Sequence, residues 1–235
     1  MRAIRRQRSD LLHAHWWFPS GLVGSVAAAI TRVPLVITCH GTDVRLLRVQ
    51  PALGRLARWV FTRASAVTVV SDYLRQELIS HLPELENRVV VIPMPIDRVF
   101  TQSSTRALPV NGRPRTIVGA GRLSQQKGFQ DLIAALSILK QHNVAVNVSL
   151  IGEGDAEQDL RDLAHGLHVD DQVQFLPFQT AEELAVSYRS CDAVVLPSYD
   201  EGLGLALVEA MFCGTPVVGT DSGGIRDLIA DGETG

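Results

Sequence analysis

Residues 193–221 read AVVLPSYDEGLGLALVEAMFCGTPVVGTD. Ala193–Ser198 is a short apolar run, residues 204–213 are rich in helix-forming Leu, Ala, Glu and Met, and Val217–Asp221 is a second β-branched run after a Gly214-Thr215-Pro216 break. Both runs are continuous rather than alternating, as strands covered on both faces must be. A strand, a helix and a second strand in so short a stretch predict two parallel strands joined by a right-handed crossover.

The same unit repeats on either side. Toward the N-terminus, strands are expected at Asp10–Trp16, Leu35–Cys39, Ala66–Ser71, Val89–Pro93, Thr116–Gly121, Val146–Gly152 and Val173–Pro177. Helices are expected near 20–31, 51–63, 73–81, 127–141, 155–167, 181–189, 204–213 and 223–231. The alternation breaks once, between Asp97 and Pro114, where Ser103-Ser104, two prolines and Asn111-Gly112 read as a linker. The chain is therefore expected to form two α/β domains, residues 1–108 and 109–235. Only four strands fall to the first domain. The final Asp231-Gly232-Glu233-Thr234-Gly235 is a turn that should lead into another strand, so the chain is expected to be a piece of a longer one.

The 235 residues are 46% hydrophobic and 20% charged, the balance of an ordinary globular chain. A formal charge of −3 and a pI near 6.2 exclude a strongly basic nucleic-acid binder. The longest uncharged apolar run, Gly21–Ile30, is far short of the roughly 20 residues of a membrane helix. Arg2, Arg5, Arg6 and Arg8 are not followed by the apolar stretch of a secretory signal; they read as a solvated end or as a contact to anionic lipid at a membrane surface. Cys39, Cys191 and Cys213 lie far apart with no metal-binding spacing, which argues for a reducing, cytoplasmic setting and against structural zinc.

In the opening stretch, Gly202 and Gly204 allow close backbone approach to a ligand, and the helix start that follows presents free N–H groups suited to a diphosphate. Glu201 lies before the helix. Glu209 lies within it among apolar residues, where a carboxylate is costly without a partner. At helical rise Glu209 sits roughly 8 Å beyond the helix start, which suits the ribose of a nucleotide whose phosphates occupy that start. Each glutamate has a plainer reading, Glu201 as a helix N-terminal charge and Glu209 as a paired core residue. The two together, with glycines between, favour a binding role.

A second motif, Gly119-Ala120-Gly121-Arg122-Leu123-Ser124-Gln125-Gln126-Lys127-Gly128, follows the first strand of the second domain. Ligands bind at such strand ends, and Arg122 and Lys127 place two positive charges there, of the kind that neutralises a pyrophosphate leaving group. Gly152-Glu153-Gly154-Asp155 is a similar turn. In the first domain, Thr38-Cys39-His40-Gly41-Thr42-Asp43 puts His40 just past a buried strand, as a loop histidine or as a hydrogen-bond donor to a sugar hydroxyl. His13 and His15 share one face of the first strand, too few for a metal site. Trp16-Trp17-Phe18 reads first as a packed corner, otherwise as a stacking platform or a membrane wedge.

The motifs His40-Gly41-Thr42-Asp43, Val70-Ser71, Ile92-Pro93, Gly121-Arg122-Leu123 with Lys127-Gly128, and above all Glu201 to Glu209, together resemble family 4 glycosyltransferases over nearly the whole chain. Gly214-Thr215-Pro216-Val217-Val218 and Ser222-Gly223-Gly224 fit as well. The resemblance implies two facing Rossmann-like domains, the GT-B architecture, each a parallel sheet with helices on both faces and both incomplete. It implies sugar transfer with retention from a nucleoside-diphosphate-sugar donor to a saccharide or lipid-linked acceptor, with no metal and no cofactor beyond that co-substrate. By position, Arg122 and Lys127 correspond to the diphosphate contacts and Glu201 to the donor-sugar contact. Gly202, Leu203 and Gly204 correspond to backbone donors, Glu209 to the ribose contact, and His40 to a donor-sugar contact from the first domain. Gly121 belongs to the same donor site. The family's first strand with its glycine-rich turn, and its returning C-terminal helices, have no counterpart in this chain. Met94-Pro95 stands where many members have Asn-Gly, and Pro177 where many have glycine. The alternatives are a non-catalytic nucleotide-sugar-binding module and a sugar-nucleotide epimerase.

Overall fold

The computed structural model describes residues 9–102 and 113–235. The arginines at 2, 5, 6 and 8, the Ser103-Ser104 and Asn111-Gly112 segments, and the expected 108/109 boundary lie outside the described residues. The chain divides into two compact units, residues 1–94 and 95–235.

In the first unit four parallel strands, β1 (Leu12–His15), β2 (Leu35–Cys39), β3 (Ala66–Val69) and β4 (Val89–Val91), stand side by side in chain order. Leu35, Ile37, Val67 and Val69 are fully buried, and Phe61, Leu74 and Leu78 from the helices Gly54–Arg63 and Asp72–His81 cover them. Helix Leu22–Thr31 stops where Arg32 turns left-handed. Ser71 caps the helix after β3 by accepting the Leu74 N–H at 3.2 Å.

One helix, Thr42–Val49, stands where no helix was expected. Its first turn is held by Asp43, a buried carboxylate. Asp43 Oδ1 accepts the N–H groups of His40 at 3.0 Å and Gly41 at 3.1 Å, and Oδ2 accepts that of Trp17 at 3.2 Å. The Trp17 indole donates to the Asp43 carbonyl at 2.6 Å, so one residue ties the loop after β1 to the loop after β2. The aromatic triplet divides: Trp17 is fully buried, whereas Trp16 and Phe18 are exposed.

The second unit has five parallel strands: β5 (Arg115–Ala120), β6 (Val146–Ile151), β7 (Val173–Leu176), β8 (Ala193–Leu196) and β9 (Val217–Gly219). Their order is β7-β6-β5-β8-β9, so the winding reverses between β5 and β8. A ligand site forms at such a reversal, outside the carboxyl ends of the two strands. Helices Phe129–Gln141, Glu157–Gly166, Ala181–Ser190 and Leu205–Phe212 flank the sheet. Phe129, Ile133, Leu150, Tyr188, Val194 and Leu207 are fully buried in one core. Thr180 and Glu183 form a reciprocal cap at the start of Ala181–Ser190.

All nine expected strands are present, and most end a residue or more early. After β8, for example, Pro197 has no N–H to continue the ladder. The helix expected over 223–231 is only a 3₁₀ turn, Gly223–Asp227. Two glycines open it, and a Cβ on Gly224 would stand 2.2 Å from the Gly202 carbonyl oxygen, so its backbone is pressed against the 201–202 loop instead of coiling freely.

The start of the expected linker also differs. Residues 95–102 pack with the second unit, through the short helix Arg98–Thr101. Phe100 is buried against Tyr188, with ring centroids 6.1 Å apart, and Arg189 donates to the carbonyl oxygens of Val99, Phe100 and Gln102. The two compact units divide at 94/95. No helix among the described residues is long and apolar enough to cross a membrane.

Replacing Asp43 by Ala leaves three N–H groups of converging loops without an acceptor. The expected loss is about 3 kcal/mol of unfolding free energy, measured by chemical denaturation; an unchanged midpoint would show that the loops hold without it.

Candidate active site

The two loops that leave the reversal point are fastened to one another. Lys127, past β5, donates from Nζ to Glu201 Oε2 at 2.6 Å, and Ser198 Oγ donates to the same oxygen at 3.0 Å. The Gln126 side chain donates to the Asp200 carbonyl, and the Tyr199 N–H to the Gln126 carbonyl at 3.0 Å. Behind this seam the Ser222-Gly223-Gly224 turn braces the second loop. Ser222 Oγ donates to the Ser198 carbonyl at 2.8 Å, and the Gly224 N–H to the Glu201 carbonyl at 2.7 Å.

A cleft of about 550 Å³ opens above the seam. Gly121, Arg122, Lys127, Glu201 and Glu209 all line it, so five of the residues singled out in the sequence share one cavity. Arg122 is exposed at its rim, whereas Lys127 and Glu201 are half-buried. Gly202, Leu203 and Gly204 form the turn between Glu201 and the helix Leu205–Phe212, and Leu203 and Gly204 are buried. Gly204 adopts φ 85°, a left-handed conformation that glycine takes without strain. No side chain caps this helix, and Leu205 and Ala206 of its first turn line the cleft. Uncapped first-turn N–H groups carry the positive end of the helix dipole.

Glu209 lies one helical turn beyond Leu205, which brings it to the same wall. Burial pushes its carboxyl up to about 7, and the Tyr188 hydroxyl, donating to Oε2 at 3.5 Å, pulls the other way. Burial likewise raises the Tyr188 hydroxyl, with the Glu209 charge adding to it, so Tyr188 remains a hydrogen-bond donor. The cleft thus holds two cations, an uncapped helix start, the ion-paired Glu201, the desolvated Glu209 and a third carboxylate, Glu153. That set suits a dianionic phosphate group flanked by hydroxyl-bearing rings.

Several lining residues escaped the sequence reading. Tyr188 comes from a distant helix, and only the need of Glu209 for a partner pointed to something of its kind. Phe178, 75% exposed, follows β7 and offers an open aromatic face; its signal was an aromatic directly after a strand-ending proline. Gln179 also lines the cleft, as do Gly152 and Glu153 from the turn noted after β6.

His40 belongs to the first unit. It is half-buried at the end of β2, where its Nε2 and the Nδ1 of His15 are hydrogen-bonded at 2.8 Å. Burial first, and then His15, push His40 below the ordinary histidine range, while Asp43 opposes them. Among the described residues, no three metal-ligating side chains converge.

Residues 1–100 match the family model described as Glycosyltransferase Family 4, and residues 101–235 the one described as Glycosyl transferases group 1. The D-inositol 3-phosphate glycosyltransferase of Pseudarthrobacter chlorophenolicus is 35% identical, over 98% of this chain and 60% of its own length. The N-acetyl-alpha-D-glucosaminyl L-malate synthase of Bacillus anthracis is 30% identical, over 98% of this chain and 61% of its length. Among solved structures, Anabaena HepE in complex with UDP-glucose superimposes with a TM-score of 0.82 and 26% identity, covering 98% of this chain and 65% of that one. The chain spans about 60% of the length of the curated relatives it matches. With the two matches together spanning residues 1–235, the chain belongs to the glycosyl transferases group 1, within glycosyltransferase family 4.

Proposed function

We propose that the protein transfers a sugar from a nucleoside-diphosphate-sugar donor to a saccharide or lipid-linked acceptor, with retention of anomeric configuration and without a metal. The observation that carries this reading is the convergence of Arg122, Lys127, Glu201 and Glu209 on one cleft at the β5/β8 reversal. Arg122 and Lys127 hold the donor diphosphate and stabilise it as it leaves, which is the work a divalent cation would otherwise do. The N–H groups of Gly202, Leu203 and Gly204 complete the phosphate and sugar contacts. Glu201 accepts hydrogen bonds from the donor sugar and Glu209 from the ribose, and His40 is read as a further donor-sugar contact.

Transfer breaks the bond between the anomeric carbon and the phosphate oxygen. It forms one from the acceptor oxygen on the same face, and the acceptor proton passes to the departing phosphate. The Anabaena complexes with UDP, glucose and UDP-glucose support UDP-glucose as the first donor to try. The three free, buried cysteines support a reducing compartment, and we place the protein in the cytoplasm.

Arg122→Ala and Glu209→Ala each remove a charge-assisted hydrogen bond to the donor. At about 1.5–3 kcal/mol apiece, each is expected to weaken UDP-glucose binding by about tenfold to a hundredfold in a calorimetric titration. Undiminished affinity in both variants would refute the site. Nucleotide binding without any turnover would favour the binding-module reading, and a rearranged donor formed without acceptor would favour an epimerase.

Glu209 adds a pH signature. Only its ionised form accepts both ribose hydroxyls, so nucleotide affinity should rise as pH increases through about 7, and Glu209→Gln should flatten that rise. Stability runs the other way. The folded protein holds this proton more tightly than the unfolded chain, so the unliganded protein loses stability as pH climbs from 4.5 through about 7. Thermal melts of wild type and Glu209→Gln across that window will read the slope, which the variant should lack.

A further inference from the structure

Outside the cleft, chemistry-bearing side chains gather most densely at the carboxyl ends of β1 and β2. His13 and His15 project from the same face of β1 with ring centroids 4.5 Å apart. His13 Nε2 pairs with Thr38 Oγ1 at 2.7 Å, and Thr38 Oγ1 with Thr68 Oγ1 at 2.7 Å, which fixes that ring against the sheet. His15 Nδ1 lies 2.8 Å from His40 Nε2, and the exposed Trp16 ring lies 5.5 Å from His40. The backbone under His40 is held by Asp43.

A hydrogen bond between two imidazoles needs one protonated and one bare nitrogen. If His15 Nδ1 carries the shared proton, a neutral His40 must hold its own at Nδ1 and presents a donor outward. If His40 Nε2 carries it, His40 Nδ1 is an acceptor. One further proton gives an imidazolium bonded to an imidazole. A second would place two N–H groups head-on across 2.8 Å and break the bond.

We propose that His15 is a positioning residue for His40: it orients the ring through Nε2, leaves Nδ1 as the free nitrogen, and limits the pair to one shared positive charge. The groups around this pair are His13 from β1, Trp16 just after it, Thr38 from β2, and Asp43 from the helix Thr42–Val49. His13 disfavours charge on His40, and Asp43 favours it. Cys39 is fully buried, and burial keeps its thiol protonated. The consequence for transfer rests on the reading of His40 as a donor-sugar contact; the pair itself does not.

Ring-nitrogen NMR of the histidines in the 235-residue chain, titrated over about pH 5 to 8, tests it. In wild type, the His15 and His40 signals should move together in one coupled step. In His15→Ala, His40 should titrate alone and with a higher midpoint. In His15→Gln, whose amide can meet Nε2 with either its N–H or its C=O and does not titrate, His40 should keep its orientation and titrate alone. The indole N–H signal of Trp17, buried in the same unit and bonded to the Asp43 carbonyl, reports that each variant is folded. An identical His40 midpoint in wild type and His15→Ala would overturn the proposal. In a transfer assay, His15→Gln should retain turnover that His15→Ala loses, and equal loss in both would overturn the positioning role. Unchanged transfer in His40→Ala would remove the donor-sugar reading while the coupled titration still decides the pair.

Discussion

Lys127 and Glu201 stand 74 residues apart in the chain, and the second unit's cleft depends on their meeting. Each sits on a loop leaving a strand at the point where the sheet reverses its winding. Two such loops diverge by construction, since the helices that follow them turn to opposite sides. The ion pair, with Ser198 on the same carboxylate oxygen and the Gln126–Asp200 and Tyr199–Gln126 bonds beside it, closes that divergence into one wall. An exposed ion pair contributes little, but this one is half-buried and shares its acceptor with a hydroxyl, so it orders the wall more than it stabilises the fold.

Around that wall, opposite demands on charge are kept apart. Lys127 and the uncapped helix start favour negative charge at one end of the cleft. Glu209, one turn deeper, is desolvated until its carboxyl holds a proton close to neutrality. A ligand that brings phosphate to the first region and hydroxyls to the second meets both demands. The first unit uses a buried carboxylate differently: Asp43 is spent on three backbone N–H groups, and it holds His40 and the loop that follows His15 without facing outward itself.

Much of the fold was legible because the signals are local. A continuous β-branched run such as Val146–Ile151 declares a strand covered on both faces wherever it falls. The helix Thr42–Val49 was missed because it is short and its first turn contains an Asp that reads as loop-forming. The helix expected at 223–231 was lost to a tertiary contact, the pressure of Gly223 and Gly224 on the 201–202 backbone, which no periodicity in that segment announces. Residues 97–102 fell within the expected linker, yet Phe100 found a buried place beside Tyr188.

By itself the sequence determined which segments become strands and which polar residues stand at strand ends, because period, turn chemistry and the cost of a carboxylate among apolar neighbours are read over a few residues. Tertiary structure alone decided which of those ends meet. The order β7-β6-β5-β8-β9 puts β5 beside β8 and thereby Lys127 beside Glu201, and the β1–β2 register puts His15 opposite Thr38 and within reach of His40. Strand order and register are collective outcomes of packing two helical layers on a sheet, and no single segment encodes them.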